Sequence, residues 1–172
     1  MRIIAGTRKG HRIEAPKGRA TRPTGDRVRE AAFNLIGPVD GATVLDLYAG
    51  SGAMGMEALS RGAGTAVFVE ADPQACRAIE RNLERLRLTG ATIFCRDVLL
   101  VLATERRQYD LVLLDAPYEM TDYTALARYL PAALAPDGLL VVESAARVEP
   151  DLPLAQRTSR RYGSARLTLF EH

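Results

Sequence analysis

From residue 43 onward, short runs of apolar β-formers alternate with stretches whose apolar residues recur every three or four positions. TVLDLY, TAVFVE, ATIFC, YDLVLLD and GLLVVE are the β-like runs, and helical patterns fall near 53–61, 73–87, 98–107 and 123–134. Parallel neighbours need a long crossover, usually a helix, so this rhythm predicts βαβ units: an α/β fold with a mostly parallel sheet covered by helices on both faces. Near-continuous apolar runs fit strands buried on two sides. The last segment, QRTSRRYGSARLTLFE, reads as two strands joined at Gly163 and Ser164, which adds an antiparallel edge.

The first forty residues read differently. RIIA (2–5) and HRIEA (11–15) are short β-like runs around a basic, glycine-containing turn, which predicts a hairpin presenting Arg8, Lys9 and Arg12. A helix is expected from Thr24 as N-cap, with Val28, Ala31, Ala32, Leu35 and Ile36 on one face and Gly37-Pro38 as its stop. The chain therefore divides into an N-terminal basic extension over 1–39 and an α/β domain over 40–172.

Charge is segregated. Residues 1–30 carry nine Lys or Arg against three acids, and 157–166 carry four Arg and no acid, whereas 31–156 hold ten basic and seventeen acidic residues. Clustered positive charge of this kind attracts a polyanion and displaces its counterions. Cys76 and Cys95 stand apart, without C-x-x-C or a nearby His, so two free thiols in a reducing compartment and no metal are expected. No apolar stretch approaches the ~18 to 20 residues that span a bilayer. A cytoplasmic protein with no membrane contact is the expectation.

The ends of the predicted strands carry the chemistry. VLDLY runs into Ala49-Gly50-Ser51-Gly52-Ala53-Met54-Gly55, a literal G-x-G-x-x-G, whose glycines let the backbone turn tightly and approach a ligand. Glu70 closes the second run twenty residues after Gly50, where a carboxylate can accept both ribose hydroxyls. Asp97 follows the third and suits an adenine amine. Asp46, within the first strand, would repel a pyrophosphate but suits the ammonium and sulfonium charges of S-adenosyl-L-methionine, which favours that cofactor over NAD. The fourth run ends in Asp115-Ala116-Pro117-Tyr118. There a carboxylate and a peptide carbonyl would accept the two N–H bonds of a planar amine, and the phenol ring would stack on a flipped base.

On these strings the chain resembles the RsmD family of 16S ribosomal RNA (guanine-N2)-methyltransferases. The resemblance is carried by RIIAGTRKGHRIEAP, TRPTGDRVREAAFNLI, VLDLYAGSGAMGMEALSRGA, FVEAD and DAPY, and spans nearly the whole length. It implies a Rossmann-like fold with sheet order 3-2-1-4-5-7-6 and an extension that helps hold RNA. It further implies cofactor contacts at Asp46, Tyr48, Gly50, Ser51, Gly52, Glu70, Ala71, Asp97 and Val98, a target-base pocket at Asp115, Ala116, Pro117 and Tyr118, and RNA contacts at Arg8, Lys9, Arg12, Arg22 and Thr24. The expected partner is 16S rRNA in a partly or fully assembled small subunit, bound by a monomer. Ala116 replaces the first of the family's two prolines, so the accepting carbonyl stays while a locked φ is lost.

Other acceptors fit the same tetrapeptide: adenine N6, cytosine N4 or a protein glutamine amide. An NAD-dependent oxidoreductase would explain the glycine loop but lacks an evident hydride-transfer acid, since His11 and His172 lie outside the core pattern. A ribosome-assembly factor that has lost turnover through Ala116 is the non-enzyme alternative.

Overall fold

The computed structural model describes residues 1–17 and 25–172. Thr24, expected to cap the first helix, and Arg22 lie outside the described residues. The elements run in the order α1 (Asp26–Ile36), β1 (Thr43–Leu47), α2 (Ala53–Ser60), β2 (Thr65–Val69), α3 (Pro73–Leu86), β3 (Ala91–Phe94), α4 (Val98–Thr104), β4 (Tyr109–Asp115), α5 (Thr124–Ala127), α6 (Leu130–Ala133), β5 (Leu134–Ala145), β6 (Ala155–Tyr162) and β7 (Ala165–Glu171). The strands form one sheet in the order β3-β2-β1-β4-β5-β7-β6. The first five are parallel, and β7 joins antiparallel between β5 and β6. This is the order the resemblance implied.

Alternation along each strand divides the interior in two. Val44, Ala66, Phe68, Leu111 and Leu113 point to a layer shared with Ala32 and Phe33 of α1, Met56 of α2 and Ile79 of α3. Leu45, Leu47, Val67, Val69, Val112 and Leu114 point the other way, toward Val101 of α4, Leu126 of α5 and Leu130 of α6. Asp46 lies between Leu45 and Leu47, so the period of two turns it toward α2.

Helix α3 shows how local sequence starts an element. The Asp72 carboxylate accepts the Gln74 amide at 3.0 Å, and Pro73 occupies the first turn, where its missing N–H costs nothing. Ala75, Cys76, Ala78, Ile79, Asn82, Leu83 and Leu86 then form one buried face. The predicted helix at 123–134 is instead two single-turn helices, because Pro131 at the start of α6 cannot continue the preceding ladder. The helix predicted over 98–107 stops at Thr104. There Glu105 turns extended, and its carboxylate accepts the amides of Arg106 and Arg107, each at 2.9 Å.

The predicted N-terminal hairpin forms as a short antiparallel pairing: Arg2 bridges Arg12, the Ile3 amide donates to the His11 carbonyl and the Ile13 amide to the Met1 carbonyl, both at 2.9 Å. The end of its first arm is bound to α2: the amides of Ile4 and Ala5 donate to the Glu57 carboxylate at 2.9 and 3.0 Å, and the Thr7 amide donates to the Ser60 carbonyl at 2.8 Å. Arg29, fully buried, donates to Glu57 at 3.4 Å, to Asp26 at 2.9 Å and to the Arg2 carbonyl. A buried carboxylate on α2 thus gathers the extension and α1 onto the sheet layer. Ile3 and Ile13 seal the joint as members of the same core.

The two cysteines are a correction to the sequence reading. Cys76 and Cys95 form a disulfide, with Cα atoms 6.0 Å apart. Nineteen residues separate them in sequence. Because α3 runs back antiparallel to β3, its first turn comes to lie beside the carboxyl end of that strand.

Candidate active site

The carboxyl ends of the parallel strands meet at the middle of the sheet, where a doubly wound fold leaves a crevice. Strand β1 delivers Asp46, then Tyr48 at φ 57°, then the glycine loop. Gly52 heads α2 at φ 79°, and a Cβ on it would lie 2.8 Å from Met56 and 3.2 Å from Ile79, so the loop closes only without a side chain. Gly55 is set by packing instead. A Cβ there would lie 2.4 Å from the Phe68 ring and 3.0 Å from the Asp46 carboxylate.

That contact fixes Asp46. Its Oδ2 accepts the Gly55 amide at 2.9 Å, and the residue is 2% exposed. Burial pushes its carboxyl well above the usual range, the Gly55 bond opposes this, and the charges of Asp115 and Glu70 push it further up. Asp46, Glu70 and Asp115, at or near the ends of three adjacent strands, therefore lie within Coulombic reach of one another. Glu70 holds the loop directly: one oxygen accepts the Gly50 amide and the other the Asp72 amide, both at 2.9 Å. Two bonds leave a carboxylate with acceptor capacity.

Asp97 is the N-cap of α4, its Oδ1 accepting the amides of Leu99 at 2.9 Å and Leu100 at 3.2 Å. Burial raises the Tyr48 phenol and the charge of Asp97 adds to it, so the two residues lie within Coulombic reach of each other. Of the flanking candidates, Ala71 is exposed, Ser51 half-buried and Val98 part of the core. Asp115 and Tyr118 are half-buried after β4, Pro117 is exposed and Ala116 is 4% exposed.

Tyr123 is missing from the sequence reading. It is 4% exposed, and burial, with the charges of Asp115 and Tyr48 behind it, pushes its phenol up to about 12. A neutral phenol thus lies within Coulombic reach of Asp115. No motif marks it, since it lies in the irregular segment before α5.

The basic candidates separate on the structure. Lys9 and Arg12 are exposed. Arg8 is engaged on α3: its guanidinium donates to the Leu86 carbonyl and, at 3.2 Å, to that of Arg87, which satisfies the helix C-terminus. In the second basic segment Arg157, Arg160 and Arg161 are exposed on β6. Arg166, read with them as a phosphate contact, is 5% exposed and committed to Ala146, Ser159 and Glu149 at 3.1, 2.8 and 3.0 Å. Its position on β7, between two strands, buries it. Among the described residues, no group of three or more His, Cys, Asp or Glu is placed to hold a metal, and no helix is long and apolar enough to cross a membrane.

The glycine loop and the acids around it suit a cationic adenosine cofactor, and the sheet order is that of one enzyme class. The fold is the Rossmann-like fold of S-adenosyl-L-methionine-dependent methyltransferases. A family model described as "Conserved hypothetical protein 95" matches residues 1–171. Ribosomal RNA small subunit methyltransferase D of Escherichia coli K12 is 36% identical over 156 residues, covering 89% of this chain and 78% of that protein. The protein of the same name from Haemophilus influenzae is 34% identical over 161 residues, covering 90% and 81%. The solved structure of a hypothetical protein from Thermus thermophilus superposes with a TM-score of 0.86 at 33% identity, covering 100% of this chain and 99% of that one. The chain belongs to the RsmD family.

Proposed function

We propose that the protein transfers a methyl group from S-adenosyl-L-methionine to the exocyclic N2 amine of a guanine in 16S rRNA, within a partly or fully assembled small subunit. The observation that carries this reading is the convergence of Asp46, Glu70 and Asp115 at adjacent strand ends, with the glycine loop on one side and an acceptor tetrapeptide on the other. The names of the relatives support the RNA class. The tetrapeptide suits a planar amine, and the family resemblance favours guanine among such amines.

Asp46, Tyr48, the Gly50–Gly52 loop, Glu70 and Asp97 would hold the cofactor. When bound, it supplies a methyl made electrophilic by a sulfonium. The guanine amine is a weak nucleophile, because its lone pair is delocalised into the ring. The Asp115 carboxylate and the residue 116 carbonyl would accept its two N–H bonds, point the lone pair away from the ring plane and stabilise positive charge growing on nitrogen. The proton released afterwards passes to Asp115 or to water. Tyr118 would stack on the extruded base and offset part of an unstacking cost of a few kcal/mol. Lys9 and Arg12 on the extension, and Arg157, Arg160 and Arg161 on β6, would meet phosphates.

The test is transfer of labelled methyl to 30S particles from cells lacking this protein, followed by digestion to nucleosides and mass spectrometry. N2-methylguanosine at one position is the expected product. Methyladenosine or methylcytidine would overturn the choice of base, and absence of transfer to RNA would overturn the reading.

A further inference from the structure

Helix α3 touches both the glycine loop and the N-terminal extension, and one side chain joins them. Asn82 is 1% exposed. Its Oδ1 accepts the Glu14 amide at 3.0 Å while Nδ2 donates to the Glu14 carbonyl at 2.9 Å, so the side-chain amide pairs with Glu14 as a neighbouring strand would. The same Nδ2 donates to the Ser51 carbonyl at 3.4 Å, inside the glycine loop. Arg85 supplies the last partner, donating to Oδ1 at 3.1 Å and to the Arg12 carbonyl at 2.6 Å. Two donors and two acceptor positions are all committed. One turn earlier, Ile79 lies where a Cβ on Gly52 would come within 3.2 Å, so the loop rests on α3 at two successive turns.

We propose that Asn82 is a positioning residue that couples the cofactor loop to the RNA-binding extension, so that occupancy of one orders the other. The proposal rests on the reading of the extension as an RNA contact. A shift of the Ser51 carbonyl reaches Glu14 through one buried, fully bonded amide, with no flexible segment between them. Arg12, two residues before Glu14, is one of the exposed basic side chains of that arm. Coupling of binding is reciprocal, so RNA on the extension must tighten the loop on its ligand by the same factor.

The experiment compares wild-type protein with Asn82→Asp, which keeps the shape and the Oδ1 acceptor but loses both N–H donors. Deuterium uptake over residues 11–15 is followed with and without S-adenosylhomocysteine. The affinity for S-adenosylhomocysteine is then measured with and without 30S particles. In wild type the ligand should slow exchange over 11–15, and particles should tighten ligand binding about fivefold, the low end of common couplings. In Asn82→Asp both effects should vanish. Glu14→Pro, which deletes both the N–H bonded to Asn82 and the carboxylate paired with Arg85, should lose them too, while Glu14→Ala, which deletes that carboxylate alone, should keep them. Equal protection in wild type and Asn82→Asp, or none in wild type, overturns the proposal. Wild-type protein that shows ligand-dependent protection but transfers no methyl to particles overturns the RNA reading instead, since the exchange measurement contains no RNA.

Discussion

The Glu70 carboxylate accepts the Gly50 amide at 2.9 Å, which ties the end of β2 to the loop that follows β1. Two residues twenty positions apart thus fix the glycine loop against the neighbouring strand, beside the proposed cofactor site. Glu70→Gln turns one acceptor into a donor and leaves either Gly50 or Asp72 without its partner. We expect affinity for S-adenosylhomocysteine to fall at least tenfold, about 1.4 kcal/mol, in a calorimetric titration. An unchanged affinity would remove Glu70 from the cofactor site.

Asp115 should separate chemistry from cofactor binding. With Asp115→Asn, one of the oxygens proposed to accept from the target amine becomes a donor that would repel it. Single-turnover methyl transfer should slow by about 10²- to 10³-fold, while S-adenosylhomocysteine affinity stays within about twofold. Equal losses in both quantities would assign Asp115 to the cofactor instead.

Glu57 anchors the extension, with a side chain fully buried and bonded to Ile4, Ala5, Arg29 and Arg61. Glu57→Gln takes one ionic partner from the buried Arg29, while the Asp26 contact survives. Breaking such a pair costs about 3–5 kcal/mol, and the surviving Asp26 contact places this case near the lower figure. The urea midpoint should drop accordingly, and amides 2–8 should exchange faster than those of β1 and β4. A midpoint equal to that of wild type would show that the anchor contributes nothing.

Acid stability should depend on Glu105. The Arg107 side chain, then its amide and the Tyr109 hydroxyl, hold the carboxyl down to about 2 against burial, which opposes them. A depressed folded value stabilises above the ordinary carboxylate range and is lost as pH falls through the folded one. Relative to wild type, Glu105→Gln should therefore melt lower at pH 6, with the gap closing from about pH 4.5 toward about pH 2. A gap constant across that range would show that Arg107 does not act through charge.

What could be read from the residues alone was whatever local periodicity encodes. Five apolar runs with helical spacers specify a parallel sheet, and the sheet places Asp46, Glu70, Asp97 and Asp115 at one edge, because strand ends inherit their position from the strands. The glycine loop was legible for the same reason, since Gly52 and Gly55 answer to backbone angle and close packing. The tertiary structure decided the pairings across long separations. Arg8 lies on a helix end 78 residues away, Glu57 reaches back 53 residues to Ile4, and Asn82 meets Glu14 across 68. Cys76 found Cys95, and Arg166 was buried between strands, although the nearby Arg157, Arg160 and Arg161 are exposed. A side chain's charge is written in its letter, but whether that charge meets solvent or a buried partner depends on the element packed over it, and no short window of sequence contains that element.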